Sequence, residues 1–188
     1  MDLISKIVLI SGPTASGKST FAIQLAKKIN GEIINADSMQ VYKQLKIISA
    51  RPDPKKHQEI THHLYGFHDA KKSFSTGNWL KIVNLKIKEL QRKNKTPILV
   101  GGTGLYFKAL TDGLVKIPHI PVKFRNQIRK MHKRLGQEEF YKNLLKLDSS
   151  SKGKINPTDS QRSIRAYEVK KFTKKSLSNW FKNTKSNF

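Results

Sequence analysis

The sequence predicts an α/β protein, a parallel sheet flanked by helices with a small helical insertion. Three observations predict it. Two apolar stretches each lead through a glycine-rich turn into a helical pattern: Lys6-Ile-Val-Leu-Ile10 before Gly12, and Thr96-Pro-Ile-Leu-Val100 before Gly101. Two strand–turn–helix units in one short chain favour a parallel sheet with both turns on the same edge. The first turn, Gly12-Pro-Thr-Ala-Ser-Gly-Lys-Ser19, fits G-x-x-x-x-G-K-[ST], the phosphate-cradling loop. From Ile117, past Pro118 and Pro121, the pattern changes to basic helices. The fold class is therefore P-loop NTPase-like.

The loop carries its own chemistry. Gly12 and Gly17 let the backbone curl so that the N–H groups of Pro13-flanking Thr14, Ala15 and Ser16 turn toward an anion. Lys18 adds positive charge at the far phosphate, and Ser19 offers a hydroxyl to Mg²⁺. The helix that follows, Ser19 to Ile29, puts the anion on a helix N-terminus.

Gly31 reads as the stop of that helix. Glu32–Ala36 is a short second strand with Asp37 at its carboxyl end, where open α/β sheets bind ligands. Three roles are open to Asp37: holding Mg²⁺, acting as a general base, or capping a short helix. Residues 46–60 are irregular, with Pro52 and Pro54 excluding a helix interior. Thr61–Phe67 is an extended segment whose His62 and His63 face opposite ways, which disfavours a shared metal ion. Leu80, Val83, Ile87 and Leu90 mark an amphipathic helix over Gly77–Asn94. Gly101-Gly-Thr-Gly-Leu-Tyr106 then opens a helix to Thr111 and turns Thr103 toward the crevice of Lys18; tight strand-to-helix packing is the plainer reading of this turn.

Residues 1–116 form the first part of the P-loop core and 117–148 the helical insertion. Residues 149–175 return to the core, and 176–188 are a polar tail. In the insertion, Lys123–Leu135 is a basic helix, and Glu138–Leu147 has Phe140, Tyr141, Leu144 and Leu145 as its apolar face. Thr158 or Asp159 caps a helix over Ser160–Thr173 with Ile164, Tyr167, Val169 and Phe172 inward.

The chain has 188 residues, with 37 Lys and Arg against 13 Asp and Glu, a formal charge of +24. Such a field attracts polyanions, nucleic acid first and anionic membrane second; lysine-rich composition alone would also produce it. No apolar run approaches the roughly 20 residues of a membrane span. There is no cysteine, which excludes disulfides, thiolate nucleophiles and thiolate zinc sites. The N-terminus lacks the pattern of a signal peptide, so a cytoplasmic monomer without membrane attachment is expected.

The motifs together resemble one family. Gly12–Ser19, Asn35-Ala-Asp-Ser-Met-Gln-Val-Tyr42, His62-His-Leu64 and Pro97-Ile-Leu-Val-Gly-Gly-Thr-Gly-Leu-Tyr106 are similar, in the same order, to segments of bacterial tRNA dimethylallyltransferases. Ile117-Pro-His-Ile-Pro121, Arg125-x-x-Ile-Arg129 and Asn156-Pro-Thr-Asp-Ser-Gln-Arg162 continue the likeness. The resemblance implies transfer of a dimethylallyl group from dimethylallyl diphosphate to N6 of an adenine beside the tRNA anticodon. It implies that Gly12–Ser19 holds the diphosphate, that Asp37 is the general base, and that Thr103 lies at the reacting centre. Asp37, Ser38, Met39, Gln40, Thr103, Arg125, Gln161 and Arg162 would contact the tRNA anticodon stem-loop. Tyr106 and Met39 are the aromatic and apolar candidates for contact with the extruded base. Family members continue well past the Arg162–Glu168 helix, so a C-terminally short form is expected. Ser49-Ala-Arg-Pro52 also lacks the glycine of the family's Gly-Thr-Ala-Lys-Pro-like segment. Two other readings share the loop: a small-molecule kinase using ATP, and a truncated tRNA-binding protein without full activity.

Overall fold

Among the described residues, four parallel strands form the sheet: β1 (Val8–Ser11), β2 (Gly31–Asn35), β3 (His62–His63) and β4 (Thr96–Gly101), in the spatial order β1-β4-β2-β3. The computed structural model describes residues 6–56 and 59–181. Three helices accompany the sheet in the unit that ends at Asp112: α1 (Lys18–Lys28), α2 (Thr76–Arg92) and α3 (Gly104–Thr111).

Side chains alternate between two cores, as a sheet covered on both faces requires. Ile33 and Ile98 pack with Ala22, Ile23 and Ala26 of α1, while Ile34 and Leu99 pack with Trp79, Val83 and Ile87 of α2 and with Leu110 of α3. β4 lies between β1 and β2 and is buried along its whole length. The first strand begins and ends later than the expected Lys6–Ile10. It is not fully buried either: β1 is an edge strand, and Leu9 is 40% exposed. β3 is shorter than the expected Thr61–Phe67 because the chain turns out of the sheet at Leu64, with φ 62°.

Ser75 caps α2 by accepting from the Asn78 N–H at 3.1 Å. The inward stripe of α2 runs Trp79, Val83, Ile87 and Leu90, with Leu80 only partly buried. Gly31 is not the helix stop. Asn30 makes the left-handed turn, with φ 51°, and Gly31 opens β2. A Cβ at Gly31 would stand 2.6 Å from Ile98 Cδ1, so packing space is what the position needs.

The second unit begins at Gly113 and is helical among the described residues: α4 (Val122–Leu147), α5 (Ser160–Thr173) and α6 (Leu177–Phe181). Gly136, with φ 76° and ψ 170°, breaks α4 into the two expected pieces. Tyr141, Leu144, Ile155 and Ala166 form the core of this unit, joined by Leu145, Tyr167 and Leu177. The boundary thus falls after Asp112 rather than after 116. Residues 149–173 do not return to the sheet unit; α5 packs on α4, because Ala166 and Tyr167 complete the α4 core. The expected polar tail contains α6 and a buried Ser176; residues 182–188 lie outside the described residues. On α5 the buried positions are Ser163, Ala166, Glu168 and Val169, whereas Phe172 is 39% exposed and meets Phe124 edge-on. No described helix is long and apolar enough to cross a membrane.

The ends of β2 and β4 approach closely. A Cβ at Gly101 would lie 2.1 Å from the Ala36 carbonyl oxygen and 2.2 Å from its carbon. Backbone cannot give way as a side chain can. Gly101→Ala should therefore lower stability by about 1–3 kcal/mol, the range for overpacking, with Tm falling roughly 2–4 °C per kcal/mol. Gly104→Ala, which meets nothing within 4 Å, is the control and should leave Tm within about 2 °C. Thermal denaturation of both variants checks this, and an unchanged Tm for Gly101→Ala would contradict it.

Candidate active site

The phosphate loop joins β1 to α1. Its backbone turns through Gly17, with φ 78°, and through Ala15, with φ 63°; Gly12 keeps a negative φ. The curl expected from Gly12 is thus made by Ala15. Gly12 supplies room instead: a Cβ there would stand 3.2 Å from Ser16 Oγ. No side chain caps α1, and its first turn has no acidic residue, so its leading N–H groups are open to an anion. The Lys18 ammonium donates to the Pro13 carbonyl across the loop. Ser19 is exposed.

Asp37 follows β2 and is held by Asn35, which is fully buried. The Asn35 amide donates to the carbonyls of Asp37 (3.0 Å) and Leu64 (3.1 Å), and its Oδ1 accepts from the Asp37 N–H at 2.9 Å. Trp79 Nε1 donates to the Asn35 carbonyl at 3.1 Å, and the indole stacks on Tyr106 at 4.1 Å. Asp37 Oδ1 accepts from the Met39 N–H at 2.9 Å, a turn-capping bond. Among the described residues its second oxygen, Oδ2, has no hydrogen-bond partner, so the capping role leaves the other two open. Thr103 Oγ1 accepts from the Ser38 N–H at 2.9 Å and donates to Ser38 Oγ at 3.2 Å. Gly102 sits between the loop and the carboxylate: its Cβ position is 3.5 Å from the Gly12 carbonyl oxygen and 3.7 Å from Asp37 Oδ2.

One cavity of about 410 Å³ gathers Thr14 to Thr20, Asp37, Gln40, Tyr65 and Gly101. The phosphate loop and the strand-end carboxylate therefore share a single space. Neither Thr103 nor Ser38, to which it is hydrogen-bonded, lines this cavity. Burial, and then the negative charge of Asp37, raise the Tyr65 phenol far above its ordinary range. Tyr106 is pushed up to about 12, by burial first and then by Tyr42 and Asp37. Tyr106 is only 3% exposed, so it is a core residue and not a contact for a base; Met39 is 49% exposed. His63 Nε2 pairs with Glu32 Oε2 at 2.6 Å and His62 Nδ1 meets the Ile60 carbonyl at 2.8 Å, so the two rings take separate partners.

The other anticipated RNA contacts lie in the second unit. Gln161 and Arg162 start α5, where Asp159 accepts from the Arg162 N–H at 2.9 Å. Together with Ile155, Arg165 and Leu177 they line a cavity of about 530 Å³. Arg125 is turned to a carboxylate. Its Nε is 3.5 Å from Glu168 Oε2, and the same glutamate draws Arg129 Nε (3.9 Å, to Oε1) and Arg165 Nη1 (3.4 Å, to Oε2). Sequence reasoning assigned no role to Asn35, Tyr65 or Glu168. The available signal was a polar residue at a position that the local period assigns to the interior.

The family model described as IPP transferase matches residues 40–188. The chain is 62% identical to the tRNA dimethylallyltransferase of Pelagibacter ubique, over all of this chain and 60% of that one. With the tRNA dimethylallyltransferase of Rickettsia massiliae it shares 48% identity over 91% of this chain and 47% of the relative. The chain thus spans under two thirds of the length of these curated relatives. A structure of a eukaryotic dimethylallyltransferase acting on tRNA superposes with a TM-score of 0.82 and 32% identity, over 95% of this chain and 44% of that one. The full-length tRNA isopentenylpyrophosphate transferase of Bacillus halodurans gives 0.59 and 34%, over 92% and 57%.

Two outcomes follow from this geometry. Asn35→Ala removes three hydrogen bonds and strands buried backbone groups; it should cost roughly 2–4 kcal/mol in a denaturant titration, whereas a cost under about 0.5 kcal/mol would contradict the clamp. Alkaline pH tests Tyr65. Its folded pKa is raised, so its contribution is fully present below the unfolded value of about 10 and is lost as pH climbs beyond it. The Tm of Tyr65→Phe should gain on the parent between pH 9 and 11; a constant difference would refute the shift.

Proposed function

Because the chain belongs to the IPP transferase family, we propose that it transfers a dimethylallyl group from dimethylallyl diphosphate to N6 of an adenine next to the anticodon of tRNA, releasing diphosphate. The observation that carries this reading is the shared cavity. A loop built for oligophosphate and the unpartnered Oδ2 of Asp37 face one space.

In this reading the loop from Gly12 to Ser19 holds the diphosphate of the donor. The allylic C–O bond breaks, and the electron pair leaves with the diphosphate. The N–H groups at the head of α1 and the Lys18 ammonium, released from Pro13, stabilise that charge. An exocyclic adenine amine is a weak nucleophile because its lone pair is delocalised into the ring. As the N6–carbon bond forms, Asp37 accepts the N6 proton at Oδ2. Ser38 and Thr103, locked to each other beside Asp37, fix the position of the backbone that carries it. The donor set fits Mg²⁺: exposed Ser19 offers a hard oxygen on the same cavity, and magnesium uses few protein ligands beside substrate phosphate and water. Ser19 Oγ would hold the ion, which when bound supplies charge neutralisation at the diphosphate.

The adenine has to leave its stack to reach the cavity. Ser38, Met39 and Gln40 near the carboxylate, and Arg125, Gln161 and Arg162 in the helical unit, are the RNA contacts in this proposal. The formal charge of +24 supplies the long-range attraction. The protein would work as a monomer in the cytoplasm.

Labelled dimethylallyl diphosphate and tRNA with adenine beside the anticodon test the proposal. The parent chain should transfer label. Asp37→Ala should transfer at least ~100-fold more slowly, the lower range for a general base. ADP release from ATP with a small acceptor, without prenyl transfer, would favour the kinase reading instead. Salt-dependent tRNA binding with no transfer would favour an RNA-binding role alone.

A further inference from the structure

Among the described residues of the helical unit, Glu168 is the one acidic group whose side chain is almost fully buried beneath several cations. The side chain is 2% exposed, and the guanidiniums of Arg125, Arg129 and Arg165 converge on it at 40%, 57% and 41% exposure. One carboxylate against three guanidiniums leaves two positive charges uncancelled. Arg125 and Arg129 stand four residues apart and share a face of α4, while Arg165 comes from α5.

The contacts are poor for a group serving stability alone. A saturated carboxylate–arginine pair is a two-bond fork at about 2.7–2.9 Å. Here each arginine approaches through a single nitrogen, at 3.4 to 3.9 Å. Glu168 Oε1 and Arg125 Nε are buried without any hydrogen-bond partner. A guanidinium has five N–H donors. Arg129 and Arg165 each meet Glu168 through one nitrogen and are 57% and 41% exposed, which leaves planar forks suited to phosphate oxygens.

We propose that Glu168 is a positioning residue that gathers Arg125, Arg129 and Arg165 into one phosphate-gripping cluster, and that the ligand is the phosphodiester backbone of RNA. The inference rests on the tRNA reading above and deepens it. Glu168 touches no RNA; it cancels part of the repulsion among the three cations and aims their forks outward.

The sign of one substitution separates positioning from simple charge. Glu168→Gln adds one unit of positive charge, and bulk electrostatics alone would tighten polyanion binding. Positioning requires the opposite: tRNA affinity, read by fluorescence anisotropy, should fall about tenfold as oriented charge-assisted bonds are lost. Arg129→Ala should lower the slope of log affinity against log salt by about one. The double variant should bind no more weakly than the worse single variant, because both act through one cluster. Affinity of Glu168→Gln equal to or tighter than the parent overturns the inference, as does full additivity in the double variant. If Glu168→Gln fails to fold by circular dichroism, Arg129→Ala and Arg165→Ala carry the test, and unchanged affinity and slope in both would overturn it. Inorganic phosphate added at constant ionic strength should compete weakly. Complete displacement of tRNA by millimolar phosphate would reassign the cluster to free phosphate. The two readings fail separately. Glu168-dependent tRNA binding without prenyl transfer defeats the proposed reaction and spares the cluster; prenyl transfer with parent-strength binding by Glu168→Gln does the reverse.

Discussion

The buried amide of Asn35 is the interaction on which the sheet unit of this molecule depends. Its side chain ties the carbonyl of Leu64 to both backbone groups of Asp37, and its own carbonyl receives the Trp79 indole N–H. Four pieces of chain with no local reason to meet are held at one point: the end of β2, the exit of β3, the first turn of α2, and the carboxylate. An amide suits this place because it both donates and accepts. A carboxylate in its stead would face two carbonyl oxygens with nothing to donate. A buried polar group with every partner present fixes one geometry, because the alternatives leave it unpaired at a cost of about 1–3 kcal/mol.

The two units use charge differently. The phosphate loop relies on backbone N–H groups and one ammonium, which rests on the Pro13 carbonyl. The Asp37 carboxylate accepts one backbone N–H, from Met39, and among the described residues keeps its other oxygen open. The helical unit takes the other course, with Arg125, Arg129 and Arg165 crowded around a single acid. Fixed dipoles suit a small ligand with developing charge, whereas a group of cations suits an extended polyanion.

Much of this was legible in the residues. The phosphate loop announces itself by spacing, and α5 runs over the predicted Ser160–Thr173 with Asp159 as its cap. Gly136 marks the break in α4 as glycine commonly does. What stayed hidden was set by partners distant in sequence. Asn35 looks like a strand end until Leu64 and Trp79 arrive. Phe172 looks like a core residue by period, yet it stays 39% exposed and meets only the edge of Phe124 on α4 among described aromatic rings. Glu168 looks, by residue type, like an exposed acid on a basic helix. The helical period puts it on the inner face, but the two arginines about 40 residues earlier that meet it there are not written in the local pattern. Ala15 adopts a left-handed φ that sequence would reserve for glycine, because the loop's closure at both ends overrides the residue's preference of about 1–2 kcal/mol.

The glycine at the end of β4 has a meaning for assembly of the sheet. β4 and β2 pair with Val100 opposite Asn35, and the next step sets Gly101 against the Ala36 backbone with no room for any side chain. A one-residue slip of β4 in one direction would drive the branched Val100 into that same backbone. Such a slip would also turn Ile98 and Leu99 to the wrong faces. Gly101 therefore acts as a stop that admits one alignment of two neighbouring parallel strands. The register that buries the two cores is thus the register that seats the carboxylate beside the phosphate loop, and a misaligned sheet fails at both together.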